Sequence, residues 1–362
     1  MSILRQTDKR SEPVTMKKWN KSNKSSFHSD LKKVKEGKKL EEAARMLKTY
    51  STKIMAPTYR DHYSGHEVPS LKDCHWCQIR SFSNAKEYPI SIVCKDESLT
   101  LPDDFTFIEK SILREGVSRA DPEFRVGCEC SHNCHGMTCH CLQDSEVDLP
   151  DHNVYAYQAG GNSEGCLKEQ LLDSKAPIYE CHEACACDET CDNRIVARGR
   201  RVPLQVFRTE NRGWGVRSKV PIKAGAFIDC YIGEIITAQE ADRRRDNAII
   251  SRRKDLYLFN IDKFTDPDSL DETLRGDPYV IDGEFYAGPS RFFNHSCEAN
   301  MRIFARVGDY SEKNLHDLAF FATEDIRPMT ELTFDYVDGK DDGEQGSEKC
   351  LCGAKSCRGW LW

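Results

Sequence analysis

The sequence predicts a mainly-β protein that is stabilised in part by metal, and three observations lead to this prediction. After Val202 the chain consists of short runs typical of β-strands, punctuated by turns such as Asn-Arg-Gly: PLQVF, GVRS, AFIDCYIGEII, YLFNI, YVIDG, MRIFARV and LAFFAT. Eighteen of the 362 residues are cysteine, and most of them lie in three dense clusters. Only 39% of the residues are hydrophobic, so the chain has little apolar surface to bury. Metal–thiolate bonds are therefore expected to contribute to the stability of the fold.

The ends and the apolar runs of the chain bear on its compartment. The N-terminal MSILRQTDKR lacks the apolar core of a signal peptide, and no run approaches the ~18 apolar residues of a membrane span. The sequence therefore predicts neither secretion nor membrane insertion. Cytosolic and nuclear chains rarely collect cysteines as disulfides, so metal binding is the favoured explanation for the thiols.

The net charge of −7 conceals a strong asymmetry. Residues 1–60 hold 16 Lys and Arg against 6 Asp and Glu, a net of +10. The remaining 302 residues hold 36 against 53, a net of −17. The basic arm allows weak contact with nucleic acid, whereas the acidic body favours a basic partner such as a histone tail. A solvated tail on a merely soluble body is the alternative explanation.

The sequence predicts five segments. Residues 1–70 form a basic, largely disordered arm with one helical stretch around Leu31–Thr49, and residues 71–125 form an N-terminal segment that packs on the catalytic unit. Residues 126–201 carry the first two cysteine clusters. Residues 202–337 form the β-rich unit with one charged helix at Ala238–Lys254, and residues 338–362 form a polar linker and the last cluster.

The first two clusters together supply nine thiols. These are Cys128, Cys130, Cys134, Cys139, Cys141, Cys181, Cys185, Cys187 and Cys191. Zinc takes four ligands in a tetrahedron, so six terminal thiolates plus three bridging ones counted twice give twelve positions, which is enough for three zinc ions. Cys-x-Cys pairs suit such a cluster and are poor disulfide partners. A redox-active or disulfide-linked region is the alternative.

The last cluster offers only three thiols: Cys350, Cys352 and Cys357. A fourth ligand must come from elsewhere in the chain, and Cys297 is the candidate. Cys94, Cys166 and Cys230 are isolated and are expected to be ordinary buried thiols. Cys74 and Cys77 have half of a zinc-knuckle spacing without a second pair nearby, which leaves metal binding there open.

Four short motifs follow one another between these clusters. They are RGWGV (212–216), YIGE (231–234), RFFNHSC (291–297) and ELTFDY (331–336). In this order the motifs resemble those of the SET-domain protein lysine methyltransferases. The nine-cysteine module before them and the three-cysteine module after them, named pre-SET and post-SET, narrow the resemblance to the suppressor-of-variegation class, which methylates lysine 9 of histone H3. The segments CHWCQIRSF, YECHEACAC and RGRRVPLQVFRT resemble its filamentous-fungal members, and the resemblance covers about residues 71–362.

The resemblance implies a fold of several small sheets with a C-terminal pseudoknot. In it the RFFNHSC segment crosses the last strand, which brings Asn294 and His295 beside Tyr336. A single zinc is implied at Cys297 with the three post-SET cysteines, and Trp362 is expected to close over the cofactor. The implied S-adenosylmethionine pocket consists of Arg212, Gly213, Trp214, Tyr257, Arg291, Asn294 and His295.

The implied reaction transfers a methyl group in line to a neutral lysine amine. Deprotonating a lysine of reference pKa ~10.4 at pH 7 costs roughly 4.6 kcal/mol, and an apolar channel next to a sulfonium lowers this cost. Tyr336 is expected to orient the amine and Tyr231 to line the channel. Phe334, where a Tyr would restrict turnover, implies progression to trimethyl-lysine. Asp262 is expected to contact the arginine that precedes the target lysine.

Histone H3 in nuclear chromatin is therefore the expected partner, with a role in heterochromatin formation and with adaptor proteins that bring the enzyme there. Three alternatives compete with this hypothesis. They are a zinc-organised chromatin scaffold without activity, a DNA-binding zinc protein, and a methyltransferase that acts on another lysine. Intact RFFNHSC and FDY segments argue against the first, and the acidic body argues against the second.

Overall fold

The computed structural model describes residues 74–94, 101–102, 104–134, 139, 141, 156–174, 176–250, 257–337 and 348–361. The predicted arm with its helix at Leu31–Thr49 lies outside these residues, as do the end of the predicted helix at Lys254 and the C-terminal Trp362. No helix in the described ranges has both the length and the apolar character needed to cross a membrane.

The described chain is mainly β, as predicted. In chain order its strands are β1 (Ile90–Val93), β2 (Thr106–Phe107), β3 (Ile112–Leu113), β4 (Ile178–Tyr179), β5 (Leu204–Arg208), β6 (Trp214–Arg217), β7 (Phe227–Tyr231), β8 (Glu234–Ile236), β9 (Leu258–Asn260), β10 (Val280–Asp282), β11 (Tyr286–Ala287), β12 (Asn294–His295), β13 (Met301–Val307), β14 (Asp317–Ala322) and β15 (Thr333–Phe334). The α-helices are α1 (His75–Arg80), α2 (Glu169–Leu172) and α3 (Ala238–Ile250). Short 3₁₀ helices span Pro122–Phe124, Gly161–Ser163, Glu272–Leu274, Pro289–Phe292 and Tyr310–Leu315.

Within the described residues the strands form four sheets. Their orders are β1-β5-β6, β3-β8-β10-β9, β11-β2 and β12-β15-β13-β14-β7, with β4 paired to β13 at the side of the last. The long run AFIDCYIGEII is split, since β7 belongs to the largest sheet and β8 to another. Gly233 lies in the break, where a Cβ would fall 2.3 Å from the carbonyl oxygen of Asp282.

The hairpin from β5 to β6 carries the first motif. Its turn needs a left-handed residue, and Gly213 supplies it with φ of +69°. The turn is closed by the Thr209 N–H, which donates to the Gly213 carbonyl at 2.9 Å. β5 and β6 pair antiparallel from Gln205–Arg217 to Arg208–Trp214, so the motif residue Trp214 opens a strand.

Three apolar clusters build the core of the described residues, and two of them carry most of it. The larger one joins all four sheets and holds several fully buried aromatic rings: Phe105, Phe259, Phe293 and Phe320. The smaller one packs α2 and β4 against β13 and β14 through Leu171, Ile178, Phe304 and Phe321. The cysteine-rich module is thereby attached to the largest sheet.

Glu180 closes this attachment with a buried charge network. Its carboxylate accepts hydrogen bonds from the Tyr157 hydroxyl, from the N–H groups of Val196 and Ala197 at 2.8 and 3.0 Å, and from Arg306 Nε at 3.0 Å. A buried carboxylate is tolerated only when it is paired and hydrogen-bonded in this way. The module therefore has one fixed position on β13.

Candidate active site and thiol centres

The nine predicted pre-SET thiols gather in one cluster. All eighteen cysteines lie in the described residues and are free thiols, and of these nine only Cys130 is not fully buried. The Cys134 and Cys181 sulfurs are 3.2 Å apart, and those of Cys141 and Cys185 are 3.5 Å apart. Thiolates around a tetrahedral zinc with bonds of about 2.3 Å are separated by about 3.8 Å. The disulfide alternative is therefore wrong, and the cluster fits metal.

Hydrogen-bond donors from the backbone and from an arginine also fit a cluster of metal-binding thiolates. The N–H groups of Cys128 and His182 donate to the Cys185 sulfur at 3.4 and 3.3 Å, and Arg194 donates to the Cys187 sulfur at 3.3 Å. Donors of this kind stabilise the thiolate form, which is the form that binds metal.

The fourth thiol of the last cluster is placed as expected. The sulfurs of Cys297, Cys350, Cys352 and Cys357 all lie within 4.8 Å of one another. Burial opposes ionisation, but backbone N–H groups of Cys297 and Ala354 lower the pKa of Cys352 to about 6. By contrast, Cys74 and Cys77 belong to no group of three or more close ligands among the described residues. Burial raises the pKa of Cys166 and Cys230, as it does for ordinary buried thiols.

The expected crossing is formed by β12 and β15, which pair in parallel with Asn294 opposite Thr333 and His295 opposite Phe334. The Tyr336 N–H donates to His295 Nδ1 at 3.2 Å, and the two rings lie 5.3 Å apart. Since Nδ1 accepts, Nε2 carries the hydrogen and donates to the Cys297 sulfur at 3.3 Å. His295 thus connects the crossing to the last thiol cluster.

Glu331 is a functional residue that motif analysis missed. Its carboxylate accepts hydrogen bonds from both Arg212 Nη2 and Asn294 Nδ2. Arg212 and Asn294, both predicted to bind the cofactor, are therefore held by the same carboxylate. The sequence contained a signal, because Glu331 is the first residue of the ELTFDY motif. The residue was missed because a carboxylate at the end of a strand is usually solvated. Gly215 makes room for this contact, since a Cβ there would lie 2.7 Å from Glu331 Oε1.

Asn294 leaves one polar atom for a ligand. Its Nδ2 is used by Glu331 and by the Trp214 carbonyl at 3.2 Å, whereas its Oδ1 is buried without a hydrogen-bond partner. A buried acceptor without a partner costs free energy unless a ligand or water satisfies it. The pocket therefore fits a ligand that presents a hydrogen-bond donor, as the amino group of S-adenosylmethionine does.

Arg291 and Tyr257, both predicted to bind the cofactor, lie against each other. The Arg291 guanidinium lies 3.9 Å from the Tyr257 ring centroid and 4.7 Å from that of Phe105. Its Nε donates to the Gly283 carbonyl at 2.8 Å. Because these contacts fix the guanidinium, Arg291 holds the Tyr257 ring in place.

A row of buried aromatic rings lies beside the crossing, where the sequence predicts the lysine channel. Centroid distances are 4.2 Å from Tyr231 to Phe259, 6.0 Å from Phe259 to Phe334 and 4.7 Å from Phe334 to Tyr336. The Tyr336 hydroxyl donates to the Phe293 carbonyl at 2.9 Å. Sequence reasoning missed Phe259, because a strand phenylalanine is normally assigned to the core.

The Tyr231 hydroxyl is held in the neutral form. It donates to the Tyr257 carbonyl at 2.9 Å, and burial raises its pKa well above the ordinary value of a phenol. At neutral pH Tyr231 therefore presents a hydrogen-bonding hydroxyl and not a general base.

Asp262, predicted to contact the arginine before the target lysine, lies two residues beyond the end of β9. It is exposed on the loop after β9, and its charge acts on His316. Ile261 next to it borders a cavity of about 210 Å³. Its contact with a substrate stays a prediction.

Comparisons with known proteins agree with this geometry. The SET domain family model matches residues 213–337, and the Pre-SET motif model matches residues 82–194. The chain is 50% identical over 331 residues to the H3 lysine-9 specific histone-lysine N-methyltransferase dim-5 of Neurospora crassa, covering 85% of this chain and all of that protein. The chain belongs to the SET-domain histone-lysine N-methyltransferases.

Solved structures extend the comparison. The structure of the Neurospora SET domain protein DIM-5 is 54% identical, covers 73% of this chain and all of that one, and superimposes with a TM-score of 0.65. Arabidopsis thaliana SUVH6 in complex with SAM is 30% identical, with a TM-score of 0.58 over 76% of this chain and 53% of that one. The predicted suppressor-of-variegation class and SET fold are confirmed, and the two non-enzymatic alternatives are excluded for this histone-lysine N-methyltransferase.

We predict that Glu331→Gln weakens binding of S-adenosylmethionine by at least about tenfold. Arg212 and Asn294 lose a charged partner, and a hydrogen bond to a charged group contributes about 1.5–3 kcal/mol. Titration calorimetry measures the dissociation constant, with thermal unfolding as a check on folding.

The matched control for this variant is Glu324→Gln, since Glu324 is an exposed carboxylate in the same part of the chain. It should bind the cofactor like the wild type. Equal affinity in a folded Glu331→Gln protein would show that Glu331 does not anchor the pocket.

Proposed function

We propose that this enzyme methylates lysine 9 of the histone H3 tail and proceeds to trimethyl-lysine in nuclear heterochromatin. The observation that supports the proposal is the row of aromatic rings that reaches Tyr336 beside the β12–β15 crossing, which we propose lines the lysine channel. The name of the Neurospora relative supports the choice of lysine. The acidic body of the chain, at −17 outside residues 1–60, favours a basic tail as partner.

The cofactor pocket is proposed to consist of the predicted residues. Asn294 offers its buried Oδ1, Arg212 and Gly213 present the turn before β6, and Tyr257 presents a ring held by Arg291. S-adenosylmethionine supplies an electrophilic methyl group on a sulfonium. Trp214 and His295 complete the set, and Trp362 is proposed to close over it.

The channel residues favour the neutral form of a bound lysine. The rings of Tyr231, Phe259 and Phe334 exclude water, and an ammonium loses its hydration there. Desolvation lowers the pKa of an amine, so the proton is given up to solvent before the amine is enclosed. The Tyr231 and Tyr336 hydroxyls donate to backbone carbonyls, so their oxygen lone pairs face the channel as acceptors for the amine N–H groups.

Tyr336 is proposed as the residue that orients the amine. Its hydroxyl is positioned by the Phe293 carbonyl, and its backbone by His295. Effective attack requires the amine to be held within a fraction of an ångström of the in-line geometry. Asp262 is proposed to bind the arginine before the target lysine.

We predict that an H3 tail peptide gains one, two and then three methyl groups, and that Tyr336→Phe lowers the rate at least about a hundredfold. Removal of the hydroxyl leaves the amine without its orienting acceptor. Mass spectrometry of the peptide, with and without a lysine at its ninth position, measures site and degree together.

Tyr310→Phe serves as the control, since Tyr310 stacks on Tyr179 away from the channel. It should retain wild-type activity. Absence of methylation on peptide, whole histones and nucleosomes by metal-loaded, cofactor-binding protein would disprove the histone assignment.

The degree of methylation is predicted to depend on Phe334. In Phe334→Tyr the added hydroxyl hydrogen-bonds the amine and occupies the room that a second or third methyl needs. We expect monomethyl- and dimethyl-lysine to accumulate while the first turnover changes less than about threefold. Phe82→Tyr, a partly buried ring outside the channel, is the control. An unchanged product distribution would contradict the assignment of Phe334.

We propose that the pre-SET thiols hold three zinc ions and the post-SET thiols one. Elemental analysis should then give about four zinc ions per chain, and about three in Cys357→Ser. We expect this variant to keep the rest of the protein folded, because Cys357 lies outside the apolar clusters. It should lose cofactor binding, because the post-SET segment that carries Trp362 would no longer be ordered. A Cys357→Ser protein with three zinc ions and normal affinity for S-adenosylmethionine would refute the coupling of metal to cofactor.

A further inference from the structure

Asp335 lies between the two channel residues Phe334 and Tyr336, and its carboxylate is held by Arg358. Arg358 Nη1 and Nη2 donate to the two Asp335 oxygens at 2.8 and 2.6 Å. Both side chains are about four-fifths buried, at 20% and 22% exposure. A bidentate pair of this kind fixes direction as well as distance. The turn that carries Tyr336 is therefore held from the side opposite the channel.

Arg358 owes its own position to the post-SET thiols. It follows Cys357 directly, and its backbone N–H donates to the Cys297 sulfur at 3.4 Å. The next residue, Gly359, donates its N–H to the Cys357 sulfur at 3.4 Å. The backbone that carries the Arg358 side chain is thus hydrogen-bonded to two thiols of the same cluster.

A second contact fixes the same segment. Glu298, the residue after Cys297, accepts hydrogen bonds from the Ser356 N–H at 2.9 Å and from its hydroxyl at 2.8 Å. The bridge between Lys349 and Trp360 lies within the post-SET segment and does not attach it to the rest of the protein. Its order therefore depends on the thiol cluster, and the Arg358 pair is a direct charged connection from that cluster to the catalytic turn.

The Asp335 end of this connection lies at the crossing of β12 and β15. Asp335 Oδ1 also accepts the Val337 N–H at 3.2 Å and lies 3.6 Å from His295 Nδ1. His295 in turn receives the Tyr336 N–H. A shift of the Asp335 carboxylate therefore displaces the backbone that carries the Tyr336 ring.

We infer that Arg358 is a positioning residue that aligns Tyr336 through Asp335 when the post-SET cluster is assembled. The inference rests on the proposed function in one respect, because it takes Tyr336 as the residue that orients the amine. It differs from a lid role of the post-SET segment, which would act on cofactor affinity. Arg358 instead acts on the geometry of the transfer step, because its hydrogen bonds in the described part of the chain go to Asp335 and Cys297.

The test compares metal-loaded Arg358→Gln, Arg358→Lys, Asp335→Asn and the double variant Arg358→Gln/Asp335→Asn with the wild type. Lys355→Gln removes a charge from the same segment and is the matched control. We expect Arg358→Gln to keep its zinc content and its dissociation constant for S-adenosylmethionine within threefold. Its kcat should fall at least tenfold, with KM for the tail peptide nearly unchanged. Arg358→Lys should recover part of kcat, because lysine keeps the positive charge but cannot form the bidentate pair.

The double variant should be no slower than the slower of the single ones, since both changes break one pair. Amide hydrogen exchange gives a readout that needs no activity. Loading the post-SET site with zinc should slow exchange at Tyr336 and Val337 in the wild type and in Lys355→Gln, but not in Arg358→Gln.

Wild-type kcat and exchange protection in metal-loaded Arg358→Gln would overturn the inference. Loss of zinc from both Arg358→Gln and Arg358→Lys would also overturn it, because Arg358 would then build the cluster and not transmit its order. If the wild type methylates no histone substrate, the proposed function fails, while the exchange experiment still decides the role of Arg358.

Discussion

The parallel pairing of β12 with β15 is the constraint on which the rest of the site depends. Only two residue pairs form it, Asn294 with Thr333 and His295 with Phe334. It joins segments about forty residues apart and places residues predicted to bind the cofactor, the lysine and metal within one short stretch. A two-residue ladder contributes little stability by itself, so it needs support from side chains on both strands.

That support is electrostatic, and it comes from the two carboxylates that bracket β15. Glu331 stands before the strand and draws Arg212 and Asn294 to it, whereas Asp335 stands after it and pairs with Arg358. Neither carboxylate is placed to react with substrate. The charges of the site therefore position the backbone, and the channel itself is left to aromatic rings and neutral hydroxyls, which suits a reaction that needs a neutral amine.

Much of this could be predicted from the sequence where the signal is local. The mainly-β fold follows from the strand-like runs, whereas the grouping of the thiols with Cys297 and the meeting of His295 with Tyr336 follow from the family resemblance of the motifs. The two-residue strands could not be predicted, because they are too short to show a period. Glu331 and Phe259 were missed for another reason: each looks ordinary in sequence and gains its role from partners far along the chain.

The two thiol centres differ in what they stabilise. The nine-thiol cluster is buried and its module is attached through an apolar cluster and through Glu180, so it belongs to the folded body. The four-thiol site is half-buried and its segment has few apolar contacts, so local opening costs little without metal. This segment carries Arg358, which pairs with Asp335 and is inferred to align Tyr336. Under the role inferred for Arg358, metal loading of the second site is expected to affect enzyme activity more than the stability of the fold.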